Sequence, residues 1–415
     1  MKLISALEFL DIPSDLITAL ALQAEHLHNG RLALVGGAVR DALLSEIDPC
    51  IYPRSPDLDF VYEGDMNLFC TRLQTYFGPR RIQELRLHDR FGTANLRLDM
   101  VMIDLASARL ETYPFPAENP LVVFSSLEND LSRRDFTVNA MALVLNADGD
   151  SHLLDPYGGR QHLIARELVF LHDESVAEDP SRVIRGARYA ARLGFTLGVQ
   201  SILQVKSTLQ LWPWSWRIGD PVDLVPPALG TRLRMELELL FDNEPWPQAL
   251  SSLRSWSALS LLDQNLQNDS LLYPRLRCAN RLQIPLLCAL ISGAADPVAL
   301  SQRLQIPGQQ QSWLEELLLF RRWLESDVLT TSWVEWGALK WTCSLEQQSW
   351  TPEVVALAIC EHQICWRPLL RWWGRWRHAS AQITASELMK QGFQPGPRLG
   401  EALHKSRLQA LERMR

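Results

Sequence analysis

Two aspartates in the stretch SPDLDFVYEG (55–64) have a spacing that could hold a metal ion. Asp57 and Asp59 are two residues apart in a segment that predicts a β-strand, and side chains two apart on a strand point to the same face. Two carboxylates held this close repel each other unless a cation lies between them. Hard oxygen ligands at this spacing suit Mg²⁺, which binds through carboxylates together with substrate phosphates. The pair indicates a magnesium site, although solvated turns contain the same pattern.

A strand that ends in two glycines precedes the acidic pair. In LALVGGAVRDALL (32–44), Gly36 and Gly37 follow an apolar run, and Arg40 and Asp41 lie at the start of the helix that follows. Glycine lets the backbone approach a ligand closely, and the free N–H groups of a helix N-terminus attract an anion. This turn predicts a phosphate-binding segment and gives the acidic pair more weight.

A third carboxylate could complete a metal site. Asp99 and Asp104 lie in RLDMVMIDLASAR (97–109), and either could serve as an accessory ligand. For each of them a structural salt bridge is the alternative.

Charged residues stand beside core-like sequence in SRRDFTVNAMALVL (132–145). We predict a helix here, on which Asp135 and Asn139 share one face and Arg134 projects from a neighbouring face. The guanidinium fork suits phosphate oxygens, and Asp and Asn can hydrogen-bond a ribose hydroxyl. A surface pair of Arg134 and Asp135 on an ordinary helix is the alternative.

A basic stripe follows in VAEDPSRVIRGARYAARLGF (176–195). Asp179 and Pro180 are typical of a helix start, with Asp at the N-cap and Pro at the first helical position. The arginines that follow recur every three or four residues: Arg182, Arg185, Arg188 and Arg192. Like charges at this spacing destabilise a helix. The stripe therefore requires anions, which a nucleotide, an RNA backbone or the neighbours Glu174 and Glu178 could supply.

Composition predicts a chain that folds into several domains. The chain has 415 residues, of which 47% are hydrophobic and 21% charged, as is usual for soluble proteins. No apolar run approaches the roughly 20 residues that span a bilayer, and Glu8 and Asp11 argue against a secretory signal. The 7 cysteines are scattered, which fits a reducing cytoplasm. Cys360 and Cys365, the closest pair, are interpreted as core packing.

Charge and tryptophan are concentrated towards the C-terminus. The formal net charge is -7, yet positive residues outnumber negative ones from Arg371 to Arg415. A basic tail on an acidic body can meet a phosphate backbone, and a solvated charged end is the alternative. The tryptophans of the last third have helical spacings and are interpreted mainly as core, with base stacking as the alternative.

The predicted elements change in character near residue 145. Before it, a helix at 14–29 and strands at 31–35, 57–62 and 92–106 predict a small mixed sheet flanked by helices. After it, the chain predicts helices almost throughout. The fold class is therefore α+β, and no strand of a second sheet is expected beyond residue 200.

The order of the motifs resembles that of the class II tRNA nucleotidyltransferases and bacterial poly(A) polymerases. The motifs are GG-x-V-R-D, D-x-D, R-R-D-x-x-x-N-A-M, D-P-x-G-G and E-D-P-x-R. They correspond here to Gly36, Gly37, Val39, Arg40 and Asp41; Asp57 and Asp59; Arg133, Arg134, Asp135, Asn139, Ala140 and Met141; Asp155, Gly158 and Gly159; and Glu178, Asp179 and Arg182. The segments RFGTA (90–94), RLRMEL (232–237) and QGFQPGPRLGEAL (391–403) are also similar. Five ordered motifs are far more specific than any one of them.

The resemblance implies a template-independent enzyme that adds CMP and/or AMP from CTP and ATP to the 3′ end of tRNA, with Mg²⁺ as cofactor and pyrophosphate as product. It implies catalytic metal ligands at Asp57 and Asp59. It implies a nucleotide and triphosphate site formed by Gly36, Gly37, Arg40, Asp41, Arg134, Asp135 and Asn139. It implies base recognition by Glu178, Asp179 and Arg182, with Arg185 and Arg188 in the neck stripe. The implied domains are a nucleotidyltransferase head or palm at 1–145, a base-recognising neck at 146–200, a helical body at 201–300 and a tRNA-binding helical tail at 301–415.

The exact reaction stays open at this stage. Enzymes that add CCA, only CC, only A or a poly(A) tract share these motifs, and we expect tRNA as the substrate with complete CCA addition. The resemblance places the deciding loop between the D-x-D and R-R-D motifs, for which 77–92 is the candidate. An inactive tRNA-binding relative is the non-enzyme alternative, and a glycosyltransferase rests on D-x-D alone. The chain departs from the family at Ser45, in an insertion at 45–56, and at His162, where the family has aspartate.

Overall fold

The computed structural model describes residues 14–27, 30–48, 58–88, 92–148 and 150–414. Asp57, the first predicted metal ligand, lies outside these ranges. The described residues form two compact units. One comprises the chain up to Ser215 with Pro226–Ala228 and Asn243–Ala258, and the other comprises Trp216–Val225, Leu229–Asp242 and the chain from Leu259 onwards. No helix in the described ranges combines the length and the apolar character needed to cross a membrane.

A mixed sheet forms the core of the first unit. The strands of this unit are β1 (Arg31–Val35), β2 (Leu58–Glu63), β3 (Ile82–His88), β4 (Thr93–Leu98), β5 (Val101–Ser107), β6 (Arg109–Thr112), β7 (Leu121–Phe124), β8 (Ala142–Leu145), β9 (Ser151–Leu154), β10 (Glu167–Leu168) and β11 (Thr196–Leu197). Seven of them pair in the order β3-β4-β5-β2-β1-β8-β9. The β2–β5 pair is parallel, and the other neighbours in this sheet are antiparallel.

Helices account for most of the remaining described residues. They are α1 (Ser14–Glu25), α2 (Gly37–Ile47), α3 (Met66–Arg81), α4 (Leu127–Ser132), α5 (Gly159–Ala165), α6 (Ser175–Glu178), α7 (Ser181–Leu193), α8 (Val199–Leu211), α9 (Thr231–Asn243), α10 (Trp246–Ser255), α11 (Gln264–Asn268), α12 (Leu272–Leu282), α13 (Leu286–Ile291), α14 (Pro297–Arg303), α15 (Gly308–Trp323), α16 (Ala338–Gln347), α17 (Pro352–Cys360), α18 (Trp366–Gly374), α19 (Ala385–Lys390) and α20 (Pro397–Glu412). Among described residues the last strand ends at Leu197, so the predicted α+β fold class is confirmed.

The apolar run of β1 forms a strand that is buried on both faces. It pairs with β2 on one side and β8 on the other, and its residues after Arg31 are buried. Ala33 and Val35 share one face and pack with Leu127 and Leu131 of α4. Helices that cover both faces of a strand explain an apolar run without polar alternation. The packing fixes the end of β1, where the Gly36–Gly37 turn begins.

The helix predicted at 132–145 is wrong. Helix α4 ends at Ser132, Phe136 is extended, Thr137–Asn139 form one turn of 3-10 helix, and Ala142–Leu145 is strand β8. A four-residue apolar run does not distinguish a strand from a helix. Pairing with β1, more than 100 residues earlier in the chain, decides in favour of the strand.

Other predicted elements are confirmed with small shifts. Strands occupy 31–35, 58–63 and two segments within 92–107. Helix α7 begins one residue after Pro180, and the Oδ1 of Asp179 accepts a hydrogen bond from the Ser181 N–H.

The prediction of a loop at 77–92 is wrong for Ile82–His88. These residues form strand β3, which pairs with β4 along its whole length. The sheet continues to Leu154, whereas the four domain ranges themselves stay predictions.

The second unit is helical and contains many of the tryptophans. Trp341, Trp372 and Trp376 are buried, as the core interpretation predicts. Trp336, Trp366 and Trp373 are only partly buried, and each has a cation over its ring: Lys340, Arg367 and Arg377, respectively. Cys360 and Cys365 are both buried, which agrees with their interpretation as core.

Candidate active site

Acidic and basic side chains meet in one cleft of the first unit. The cleft has a volume of about 320 Å³, and its lining includes Asp59, Asp104, Asn95, Arg133 and Arg134. Asp59 on β2 and Asp104 on β5 are direct partners across the parallel strand pair, and both side chains are exposed. The cleft therefore has a pair of carboxylates and a pair of guanidinium groups in its wall.

The structure distinguishes the two candidates for a third carboxylate. Asp104 lines the cleft, and its Oδ1 accepts a hydrogen bond of 2.5 Å from Nδ2 of Asn95. Asp99 lies between β4 and β5 and pairs with Arg81, whose Nε is 2.9 Å from its Oδ2. The hydrogen bond from Arg81 holds the pKa of Asp99 below its ordinary value. The salt-bridge alternative is thus confirmed for Asp99, and Asp104 remains beside Asp59.

The two-glycine turn lies against Arg134. Gly36 has φ 70° and ψ -132°, a conformation that a residue with a Cβ rarely adopts. A Cβ at Gly36 would stand 3.2 Å from Nη1 of Arg134, and Gly37 begins α2. The turn predicted to approach a phosphate is therefore next to an arginine of the cleft.

Arg40 is buried and connects the start of α2 to Asn139. Its Nε donates to Oδ1 of Asp41 at 2.7 Å, and its Nη1 donates to Oδ1 of Asn139 at 2.8 Å. Its guanidinium also lies 5.4 Å from the ring centroid of Tyr189. The G-G-x-V-R-D and R-R-D motifs are joined by this side chain.

Asp135 is a buried carboxylate shared by two elements. Its Oδ1 accepts hydrogen bonds from Nδ2 of Asn139 at 3.0 Å and from the Phe136 N–H at 2.7 Å, and its Oδ2 lies 3.3 Å from Nη1 of Arg185. Burial would raise the pKa of Asp135, but the charge of Arg185 and these hydrogen bonds outweigh it and hold the pKa below the ordinary value. Asp135 and Asn139 are therefore in contact, as predicted, although no helix connects them.

Every arginine of the predicted stripe on α7 is paired with a carboxylate. Arg182 pairs with Glu178 and Arg185 pairs with Asp135. Arg188 and Arg192 both pair with Glu244. Acidic residues thus neutralise the stripe, and of the two predicted neighbours Glu178, not Glu174, takes part in these pairs. The sequence did not reveal Glu244, which is 52 residues from Arg192.

The E-D-P-x-R element is bonded to the R-R-D segment. The side chain of Arg182 is only 4% exposed. Its Nη1 donates to the Ser175 carbonyl at 3.1 Å, and its Nη2 donates to the Arg133 carbonyl at 3.2 Å. The Ala117 N–H, in the connection between β6 and β7, donates to the Glu178 carbonyl at 3.1 Å. No sequence pattern predicted that the connection between β6 and β7 lies beside the predicted base-recognition residues.

The D-P-x-G-G motif supports the turn that contains Asn139. The Asp155 carboxylate accepts hydrogen bonds from the Gly159 N–H at 2.7 Å and the Arg160 N–H at 3.0 Å, so it caps α5. A Cβ at Gly159 would stand 2.2 Å from the Thr137 carbonyl oxygen. His162 Nδ1 lies 2.8 Å from Thr137 Oγ1, so this departure from the family keeps a polar contact with the turn.

Comparisons with known proteins agree with this arrangement. The family model of the poly A polymerase head domain matches residues 32–169, which include the cleft. A CC-adding tRNA nucleotidyltransferase of Deinococcus radiodurans is 41% identical over 233 residues, which are 56% of this chain and 55% of that protein. Over these stretches the chain is similar to poly A polymerase head domains and to tRNA nucleotidyltransferases. An A-adding tRNA nucleotidyltransferase of Aquifex aeolicus is 33% identical over 237 residues, which are 57% of this chain and 26% of that protein. The matches thus span about half of the Deinococcus protein and about a quarter of the Aquifex protein.

Solved structures of CCA-adding enzymes share the fold of this chain. A CCA-adding enzyme in an apo form gives a TM-score of 0.70 at 21% identity, with 99% of this chain and 95% of that chain covered. The Thermotoga maritima CCA-adding enzyme complexed with tRNA gives a TM-score of 0.66 at 20% identity, with 96% and 90% covered. The similarity confirms a mixed-sheet head followed by helices.

Proposed function

We propose that this chain is a template-independent RNA nucleotidyltransferase that adds CMP and/or AMP to the 3′ end of tRNA and releases pyrophosphate. The observation that carries the proposal is the cleft in which Asp59 and Asp104 share the wall with Arg134. Such a site can hold a metal ion at its carboxylates and bind the oxygens of a triphosphate with its arginine. The relatives of the chain include A-adding and CC-adding tRNA nucleotidyltransferases and a multifunctional CCA protein, which supports the same reaction.

Asp59 and Asp104 fit Mg²⁺ because both offer exposed, hard carboxylate oxygens at one point of the sheet. Within the described ranges no group of three or more His, Cys, Asp or Glu side chains could hold a metal ion. The proposed site therefore needs Asp57, with Asp104 in the accessory position. Mg²⁺ there would supply a Lewis acid that lowers the pKa of an RNA 3′-hydroxyl and offsets the charge of the triphosphate.

The residues around the two-glycine turn would bind the triphosphate and sugar. Nη1 of Arg134 lies beside the Gly36 turn, where a phosphate oxygen would accept a hydrogen bond from it. We assign Gly36 and Gly37 to close approach of the backbone, and Asp135 and Asn139 to the sugar. Arg40, with Asp41, acts by fixing Asn139, because its guanidinium is already bonded to both side chains.

We assign base selection to Glu178, Asp179 and Arg182, supported by their position against the R-R-D segment. An acidic acceptor and an arginine donor can pair with the exocyclic amine and ring nitrogen of cytosine or adenine. Complete CCA addition remains our proposal. CC-only addition is the second candidate, because the Deinococcus relative with 41% identity is a CC-adding enzyme.

The test is incubation of the purified chain and Mg²⁺ with tRNA transcripts that end before the CCA sequence, after CC, or after CCA. Labelled CTP and ATP are supplied separately and together, and product length is read at single-nucleotide resolution. Complete addition predicts two C and then one A on the first transcript. Extension that stops after CC, extension only of the CC-ended transcript, or a long A tract would identify the partial and poly(A) activities. Binding of tRNA without extension of any transcript would support the inactive relative and overturn the proposal.

A further inference from the structure

We infer that Asp130 is a positioning residue that aims Arg134 at the triphosphate, and that the adjacent arginines of the R-R-D motif have different tasks. This inference rests on the proposed function, since it concerns how that site holds its nucleotide. It assigns a structural task to Arg133 and a substrate contact to Arg134.

Asp130 lies on α4 with its side chain 1% exposed. Its Oδ1 accepts hydrogen bonds from Nε and Nη2 of Arg133, at 2.9 Å and 2.8 Å. Its Oδ2 accepts one from Nη2 of Arg134, at 2.9 Å. A carboxylate buried this completely requires cationic partners. Because each oxygen serves a different arginine, one rigid group sets the separation of the two guanidinium groups.

The hydrogen-bonding nitrogens of Arg133 are all used within the protein. Besides its two bonds to Asp130, its Nη1 donates to Oε1 of Glu111 at 3.1 Å. Glu111 lies on β6 and also accepts hydrogen bonds from Arg109. Arg133 therefore ties α4 to the β6–β7 hairpin, and its backbone carbonyl receives Arg182. This pattern is that of a structural arginine.

Arg134 has a different set of contacts. Among the described residues its only hydrogen bond through the side chain is the one from Nη2 to Asp130. Its Nε is buried without a partner, and its Nη1 lies beside the Gly36 turn. An unsatisfied buried donor is unfavourable in the free protein. A phosphate oxygen between the turn and the cleft would accept a hydrogen bond from Nη1, and Asp130 holds the guanidinium in the orientation needed.

A matched pair of variants separates this role from general stability. Asp130→Asn loosens both arginines, whereas Glu111→Gln removes a carboxylate that pairs with Arg133 and Arg109 but not with Arg134. We expect Asp130→Asn to raise KM for CTP and ATP about tenfold, the equivalent of one charge-assisted hydrogen bond, with kcat changed far less. Glu111→Gln should change KM less than about twofold on the same scale. Equal KM increases in both variants would overturn the inference.

A second pair of variants covers the case in which Asp130→Asn fails to fold. Arg134→Lys and Arg133→Lys each keep a cation for Asp130 but lose the guanidinium fork. Arg134→Lys should weaken equilibrium binding of MgCTP about tenfold without lowering the unfolding temperature, because one phosphate contact is lost. Arg133→Lys should lower the unfolding temperature and leave MgCTP binding nearly unchanged. The reverse pattern would overturn the inference. Failure of the wild-type chain to bind or incorporate any nucleotide would instead overturn the proposed function, and this inference with it.

Discussion

Asp59 of β2 lies directly opposite Asp104 of β5 in the only parallel pair among the seven described strands of the mixed sheet. Like charges placed opposite each other are unfavourable in a sheet without a cation between them. The same cleft contains Arg134, which adjoins the two-glycine turn. This relationship places the proposed metal ligands and the proposed phosphate ligand on one surface, and the first prediction tests it.

Replacing Asp59 with asparagine should abolish nucleotide incorporation while leaving the fold intact, and Asp57→Asn should do the same. Loss of a metal ligand removes several kcal/mol of transition-state stabilisation, so the rate should fall about 100-fold or more. The unfolding temperature should change little, because Asp59 is exposed. Asp99→Asn is the matched control, since that carboxylate lies in the turn between β4 and β5 and pairs with Arg81 at the end of α3. Retention of a tenth of the activity in both Asp57 and Asp59 variants would refute the assignment.

Arg182→Ala should blur the choice among nucleotides more than it slows pyrophosphate release. The side chain bridges Glu178, Ser175 and the Arg133 carbonyl, so its loss loosens the base-recognition element rather than the metal site. The measurement is the ratio of kcat/KM values for CTP and ATP against UTP and GTP. Arg192→Ala is the control, because it breaks an ion pair of the same helix with Glu244. If Arg182→Ala left the preference for CTP and ATP over UTP and GTP unchanged, the role of this arginine would be structural.

Gly159→Ala should destabilise the first unit and impair nucleotide binding together. The added Cβ would meet the Thr137 carbonyl at 2.2 Å and displace the turn that contains Asn139. Overpacking of this kind costs about 1–3 kcal/mol. Unfolding in urea and KM for CTP are the two measurements. Gly308→Ala, at a position with open space around the added Cβ, should leave both nearly unchanged, and an equally mild effect of Gly159→Ala would contradict the prediction.

Acid should remove a stabilising contribution of Asp135. Its pKa is held below the ordinary value in the folded protein, whereas the unfolded chain has the ordinary value of about 3.9. The contribution is therefore fully present above about pH 4 and is lost as the pH falls through the lowered folded value. Urea unfolding between pH 7 and pH 3 should show a steeper acid loss for the wild type than for Asp135→Asn. Parallel curves for the two proteins would contradict this account.

Local sequence predicted those elements whose signals are local. The apolar run at 31–35 and its terminal glycines predicted β1 and the following helix correctly. At Ala142–Leu145 the apolar run was too short to decide, and pairing with β1 made it a strand. At Ile82–His88 only Leu85 and Leu87 alternate with polar residues, and this short pattern is the one local signal for strand β3.

At the site, too, local spacing predicted some contacts, whereas contacts between distant segments had no signal. The spacing of Asp130 with Arg133 and Arg134 is three and four residues, a signal that could have identified the shared carboxylate. Glu244 carried no such signal, because its pairing with Arg188 and Arg192 depends on how α10 packs against α7. Contacts between distant segments are set by tertiary packing, which the spacing of residues along one sequence does not reveal.

The measurement that tests the central claim most directly is the count of pyrophosphate released per nucleotide incorporated into tRNA that lacks its CCA end. Our account predicts one pyrophosphate for each C or A added, an end to both signals once the 3′ end is complete, and neither signal with Asp59→Asn. Nucleotide hydrolysis without incorporation would contradict it. So would incorporation that persists at the wild-type rate in Asp59→Asn.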